Sequence, residues 1–487
     1  MDGMLRLKSA LILLVTFACG GMALAQDTFP KGEIIDPVLC QDQPDQSYAL
    51  YLPISYTPEK RWPVLYCFDP GARGKVPVEL FQEAAERLGY LVAGSNNSRN
   101  GPWEPTLRAI KAMLTDTQAR FAIDTGRAYS TGMSGGGSPA LKVAEAGAAG
   151  TIICASVTQF TDEQLKPVTL DIYTTAGIAD FNYEYLRTFC EQLVRLGKAV
   201  RFETFDGGHG WPPKELAANA LEWMELRAMR RGLRGTDEAF IDSFSRSEQA
   251  RAAALEAAGK RLQALRLYEA LVRDFDGLRD VTACQAKVAD LSAQKEIKEA
   301  VKWENSVAEA HYQRMSRLVA ARTTLENPQI PDLGRGRGIE LDPVEKSGLE
   351  ASRAEMAATD IRRSVSSMRK QMEKPFADHE RVISQRVLDN FYIDTIYRAS
   401  EQMGSKDYRR AISNYQLCAE VRPKAVTPLL ELARAYAAQK DKKKAVEYLT
   451  KAIDAGLKDP QVIRATEFES LRGEKRFEQL MARLATP

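Results

Sequence analysis

The chain has 487 residues, 44% of them hydrophobic and 27% charged, with a formal net charge of +2. That balance belongs to a globular protein long enough for two or three domains. A near-neutral charge with no basic run interleaved with aromatics argues against nucleic acid as a partner. Three scattered histidines, His209, His311 and His379, argue against an imidazole metal cluster. No metal and no cofactor is implied.

Arg6 and Lys8 precede an apolar core from Leu11 to Ala18, and small residues then lead to Ala23-Leu24-Ala25. This is the pattern of a secretory signal peptide cut before Gln26. The core is too short for a permanent membrane span. Residues 1–25 are therefore expected to be removed and the protein exported, to the periplasm or beyond. Lipid anchoring through Cys19 is the competing reading, but Thr16-Phe17-Ala18 lacks the leucine of a lipobox. Six cysteines follow: Cys40, Cys67, Cys154, Cys190, Cys284 and Cys418. An exported protein can oxidise such residues, although Cys67 and Cys154 lie in apolar strand-like runs and read as small core residues.

From Tyr48 the pattern alternates between strands and helices. Tyr48–Pro53, Val64–Phe68, Tyr90–Gly94, the run ending at Met133, Thr151–Ser156, Val168–Thr174 and Val200–Phe205 read as strands. Helical spacing occupies Val78–Leu88, Pro105–Arg120, Tyr183–Leu196 and Leu216–Arg230. Alternation of this kind predicts an α/β fold with a mostly parallel sheet, whose reactive groups gather at the carboxyl ends of the strands.

Between one such strand and a helix lies Gly132-Met133-Ser134-Gly135-Gly136, which fits G-x-S-x-G, the nucleophile-elbow pattern. A serine on so tight a turn has a strained backbone, and its neighbours two residues away crowd each other, so glycine is required there. The following helix aims its N-terminal N–H groups at any oxyanion formed at the serine. Asp180 and His209 each stand just past the end of a later strand, in the chain order Ser134, Asp180, His209. That is the order of an α/β-hydrolase triad. A serine hydroxyl needs a neutral imidazole to remove its proton, and the imidazole needs a carboxylate to hold its tautomer. Asp206 and Asp162 remain alternative acids. Gly135 N–H and one N–H from the loop after Phe68 would form the oxyanion hole. Pro70 has no N–H, so Gly71 or Ala72 must supply the second donor. Trp103 and Trp211 either line an acyl or leaving-group pocket or serve as packing aromatics.

On the elbow, on Gly177-Ile178-Ala179-Asp180 and on Gly207-Gly208-His209-Gly210-Trp211-Pro212-Pro213, residues 45–230 resemble an esterase or depolymerase-type α/β-hydrolase. That group includes polyhydroxyalkanoate depolymerases, feruloyl esterases and dienelactone-hydrolase-like proteins. The resemblance implies hydrolysis of a small-molecule or polymeric ester by Ser134, His209 and Asp180. One departure is Asp69-Pro70-Gly71, where many members carry His-Gly at the start of the oxyanion loop. The same triad cuts amides, so a peptide or amide hydrolase is the alternative. A further alternative is a non-catalytic interaction protein.

The hydrolase domain is expected over 35–232, and beyond it the strands stop. Residues 237–390 read as a helical region with a tetratricopeptide-like (TPR-like) hairpin around Ala252, Ala264, Tyr268 and Leu271 and a Gly/Pro/Arg-rich loop near 327–343. In 391–487, Ala399, Ala411, Tyr415 and Cys418 are matched 34 residues on by Ala433, Ala445, Leu449 and Ala452, which is the tetratricopeptide period. The last residues, from Pro460 to Leu484, resemble a capping helix pair. These repeats would either hold a protein partner or serve as a packing module.

Overall fold

The computed structural model describes residues 29–156, 160–329, 343–376, 378–459, 461 and 466–485. The signal-like segment and most of the loop after Asn327 lie outside these residues. The first part of the chain runs β1 (Ile34–Leu39), β2 (Ser47–Tyr51), β3 (Trp62–Phe68), α1 (Lys75–Leu88), β4 (Leu91–Ser95), α2 (Trp103–Arg120), β5 (Ile123–Met133) and α3 (Gly137–Glu145). It continues through β6 (Gly150–Cys154), α4 (Asp162–Leu165), β7 (Asp171–Gly177), α5 (Tyr183–Arg195), β8 (Val200–Phe205) and α6 (Lys214–Arg230). The strands form one eight-stranded sheet in the order β1-β2-β4-β3-β5-β6-β7-β8. β2 runs antiparallel to both its neighbours, β1 and β4, and every other pair is parallel. This is the α/β-hydrolase arrangement.

Alternation along the strands divides the core between the two faces of the sheet. Leu65, Cys67, Val92, Tyr129 and Tyr173 pack with Val78 and Phe81 of α1 and Leu221 and Met224 of α6. Val64, Tyr66, Phe68 and Leu91 pack with Ile110 and Met113 of α2 and Ala140 and Val143 of α3. β3 is buried at every residue, as its unbroken apolar run requires. Two strands differ from the sequence reading. β1 was not anticipated because Pro37 interrupts it; an edge strand tolerates this, and its register shifts between Ile35 and Val38. β7 begins at Asp171 and not at Val168. Asp171 can enter the core because Arg227 and Arg231 reach its two carboxylate oxygens at 2.8 and 3.0 Å.

The second part is all helix: α7 (Glu238–Ala257), α8 (Arg261–Phe275), α9 (Thr282–Ala293), α10 (Lys295–Glu326), α11 (Pro343–Gln371), α12 (His379–Gly404), α13 (Tyr408–Val421), α14 (Val426–Ala438), α15 (Lys442–Asp454) and α16 (Lys475–Ala485). Asp237, Asp378, Asp407 and Asp441 cap α7, α12, α13 and α15 by accepting the N–H three residues on. Each such cap contributes about 1 kcal/mol. The 34-residue match is a match of burial. Ala399 and Ala433, Ala411 and Ala445, Tyr415 and Leu449, and Cys418 and Ala452 are all buried in the helical hairpins. α11, which reads as polar, buries Ile361, Val365 and Met368 against α10 and α12 and belongs to the bundle.

The two parts share a core. Phe244, Leu267, Leu271 and Phe275 of α7 and α8 continue the cluster that holds Trp223 and Met224 of α6. Beside them lies a buried charge network. Arg201 of β8, fully buried, forms ion pairs with Glu203 at 2.9 Å, Glu248 of α7, and Asp274 of α8 at 3.6 Å. Arg251 also binds Glu203 and Glu248. Burial pushes the Asp274 carboxyl up, against the pull of Arg201. The six described cysteines are buried and unpaired. Burial raises the Cys40 thiol to about 11 and those of Cys154, Cys190 and Cys418 to about 12.

Removing Arg201 takes the guanidinium away from Asp274 and leaves the buried Glu203 and Glu248 to share Arg251 alone. Arg201→Met is therefore expected to lower the unfolding free energy by about 3–5 kcal/mol, measured by urea denaturation.

Candidate active site

Ser134 follows β5 directly and opens a short 3-10 turn, Ser134–Gly136, that leads into α3. Its backbone is left-handed, at φ 52°, a conformation costing a non-glycine residue about 1–3 kcal/mol. The surroundings hold it there. A Cβ on Gly132 would overlap the Gly136 carbonyl, and one on Gly136 would overlap the carbonyl of Phe68 at the end of β3. Backbone therefore packs on backbone across the turn, and the serine has no other path. Behind it, Ser130 Oγ bonds the Ala140 carbonyl at 2.8 Å and fastens α3 to the sheet.

His209 lies past the end of β8 and Asp180 past the end of β7. His209 Nε2 is 2.8 Å from Ser134 Oγ, and His209 Nδ1 is 3.0 Å from Asp180 Oδ1. With the proton on Nδ1, the imidazole donates to the carboxylate and accepts from the hydroxyl. Asp180 is fully buried and the His209 side chain 11% exposed. The two loops are tied by backbone: Ile178 N–H donates to the Phe205 carbonyl and Ala179 N–H to the Gly207 carbonyl, each at 2.9 Å. Asp180 Oδ1 also accepts the Asn182 N–H at 2.8 Å, and Asn182 Nδ2 bonds the Ala155 carbonyl at 2.9 Å. Phe181 stacks on the imidazole, ring centres 4.2 Å apart. Nothing in the sequence singled out Phe181, although its place immediately after the acid was a usable signal.

The alternative acids stand elsewhere. Asp206 pairs with Lys260 at 2.7 Å, and Asp162 takes the Gln192 amide at 2.7 Å. Gly135 follows the serine at the head of α3. In the loop after β3, Asp69 is fully buried and collects the local donors. Gly71 N–H reaches Asp69 Oδ1 at 2.9 Å, Ala72 N–H reaches the Asp69 carbonyl at 3.1 Å, and Arg73 grips the carboxylate at 2.8 and 3.0 Å. Both backbone donors expected of Gly71 and Ala72 are thus taken up within their own loop. Trp211 is also drawn in: its indole N–H donates to Asp69 Oδ2 at 3.0 Å and ties the histidine loop to the loop after β3. Trp103 opens α2 and is 42% exposed.

The helical region reaches the site. Arg386 of α12 donates from Nε and Nη2 to the Ile178 carbonyl at 3.1 and 2.7 Å, two residues before Asp180. His311 of α10, 8% exposed, accepts from Asn390 at 3.2 Å. Burial, helped by the charge of Arg386 and opposed by that of Asp180, pushes His311 down to about 4. Among the described residues, no group of three or more His, Cys, Asp or Glu could hold a metal ion, and no helix is long and apolar enough to cross a membrane.

No family model matches the sequence, and no curated protein matches it. Solved structures similar in fold include a thermostable esterase at 17% identity and TM-score 0.31, covering 39% of this chain and 61% of that one. A ferulic acid esterase matches at 16% identity and TM-score 0.33, covering 39% of this chain and 95% of that one. Esterase Est2 of Thermogutta terrifontis matches at 17% identity and TM-score 0.32, covering 42% of this chain and 94% of that one. This chain thus spans less than two thirds of the first of these and nearly the whole of the other two.

Two outcomes follow from this geometry. Gly132→Ala is expected to cost at least about 2 kcal/mol, read as a lowered melting temperature, because the new Cβ meets backbone that cannot move aside. His311 binds its proton in the unfolded chain below its ordinary 6.5 but in the folded chain only near 4. Stability from this group is therefore full above 6.5 and falls as pH drops toward 4, by up to about 3 kcal/mol. His311→Gln should remove that slope from a plot of unfolding free energy against pH.

Proposed function

We propose that this chain is a serine hydrolase that cleaves carboxylic esters through an acyl-enzyme. The single observation that carries the reading is the unbroken run from Asp180 Oδ1 through His209 to Ser134 Oγ, at 3.0 and 2.8 Å, on a serine held left-handed at φ 52°. His209 Nε2 takes the hydroxyl proton as Oγ attacks the carbonyl carbon. Asp180 keeps the other imidazole proton on Nδ1 and stabilises the imidazolium. Negative charge gathers on the former carbonyl oxygen, beside the Gly135 N–H and the positive end of α3. The tetrahedral adduct expels the alkoxide, which takes the proton from His209. Water then enters, gives a proton to His209 and attacks the acyl carbon, and Ser134 leaves with that proton restored.

Export fits this reading, on the charged, apolar and Ala23-Leu24-Ala25 segments at the start of the chain. The repeated hairpins from α12 to α15 suit a docking role for a protein partner, on the 34-residue match of buried small residues. Ser134→Ala should reduce turnover of a short p-nitrophenyl ester by at least about 10³-fold with the melting temperature retained. A fluorophosphonate probe should label the unaltered chain at Ser134 and leave the variant unlabelled. Undiminished turnover in the variant removes the proposal.

A further inference from the structure

An oxyanion hole built on Gly135 alone is half a hole, since acyl transfer by this geometry uses two converging donors. The backbone donors of Gly71 and Ala72 are held by Asp69. One amide stands in the right neighbourhood. Asn100 lies in the loop after β4, and its backbone N–H donates to the Pro70 carbonyl at 2.9 Å, so it is pinned to the loop that the second donor should come from. Its side chain covers Gly135: a Cβ placed on that glycine would overlap Asn100 Oδ1 and stand 2.9 Å from Nδ2. The Asn100 amide is therefore in contact with the residue that supplies the first donor.

The amide is held from the helical region. Asn100 Nδ2 donates one hydrogen to the Tyr397 hydroxyl. An amide nitrogen carries two hydrogens, so the other is not spent on Tyr397. Tyr397 sits on α12, the helix whose Arg386 grips the Ile178 carbonyl in the acid loop. A Cβ on Gly208, next to His209, would overlap Gln385 of the same helix. From Gln385 to Tyr397 α12 rises about 18 Å. One rigid rod thus touches the acid loop and the histidine loop near one end and the Asn100 loop near the other.

We propose that the Asn100 side-chain amide is the second oxyanion donor, with Tyr397 its positioning residue, so that helix α12 completes the active site. The inference rests on the ester-hydrolase reading above. Asn100 contacts the reacting oxygen; Tyr397 acts only by fixing the amide.

The test uses the full-length mature chain and a p-nitrophenyl ester series. Asn100→Asp keeps the shape and replaces the N–H donor by a carboxylate, and Asn100→Ala removes it. Each should lower kcat by about 10²–10³-fold with KM changed by less than about twofold, the split expected for a contact made only in the transition state. Tyr397→Phe removes one hydroxyl and should lower kcat about tenfold, while Asn100→Ala with Tyr397→Phe should be no worse than Asn100→Ala alone, because the two act through one group. If kcat for Asn100→Asp stays within about twofold of the unaltered chain, or the double variant loses activity additively, the assignment is wrong. Should the Asn100 variants melt early, Tyr397→Phe and its kcat against KM decide. Fluorophosphonate labelling of the unaltered chain separates the two levels. Labelling at Ser134 with unchanged Asn100 and Tyr397 variants overturns this inference alone, whereas absence of labelling overturns the ester-hydrolase reading and this inference with it.

Discussion

The backbone pairing between the loops after β7 and β8 is the constraint from which the site follows. Ile178 and Ala179 donate to the carbonyls of Phe205 and Gly207, so the parallel ladder of the sheet continues past the strands. Two side chains 29 residues apart in sequence are thereby set at fixed separation before either makes a contact of its own. Asp180 is buried whole, with an imidazole N–H and the Asn182 N–H both meeting its Oδ1. A carboxylate without such donors would be too costly to bury. The serine comes from the other side under an equally hard restriction, the contact of Gly136 with the Phe68 carbonyl. Precision here comes from main chain, which has few ways to relax.

The helical region is part of this construction. Arg201 on the last strand of the sheet is neutralised by acids on α7 and α8, and the apolar cluster of α6 runs on into the same two helices. Ala179, one residue before Asp180, packs with α10, α11 and α12. A buried arginine needs its partners, and a buried alanine needs its neighbours, so the sheet rim and the bundle fold as surfaces of one object. The Arg386 guanidinium reads the acid loop through a carbonyl and lies 4.6 Å over the ring of Tyr183, which begins the helix after that loop.

Much of this was legible in the sequence. The elbow glycines announce a close approach that only backbone can make. Continuous apolar runs mark the central strands, and an acid and a histidine past late strands lie where the ladder sets them. The small residues repeating every 34 positions mark tight helix contacts. Other features were hidden, for physical reasons. β1 is an edge strand broken by Pro37, so its alternation is faint. Asp171 falls inside the strand read over Val168–Thr174, but its burial at the start of β7 makes sense only once Arg227 and Arg231 are seen to meet it. The fate of Gly71 and Ala72 depends on which way the Asp69 carboxylate turns, and a dipeptide comparison with His-Gly cannot show that. Arg386, Tyr397 and Gln385 come from a helix more than 170 residues beyond His209, and no local pattern ties them to it.

The six described cysteines carry a consequence of their own. All are buried and free, and burial raises each thiol and keeps it in the protonated, unreactive form. Among the described residues, the packing and paired charges that hold the fold together form without a cysteine cross-link.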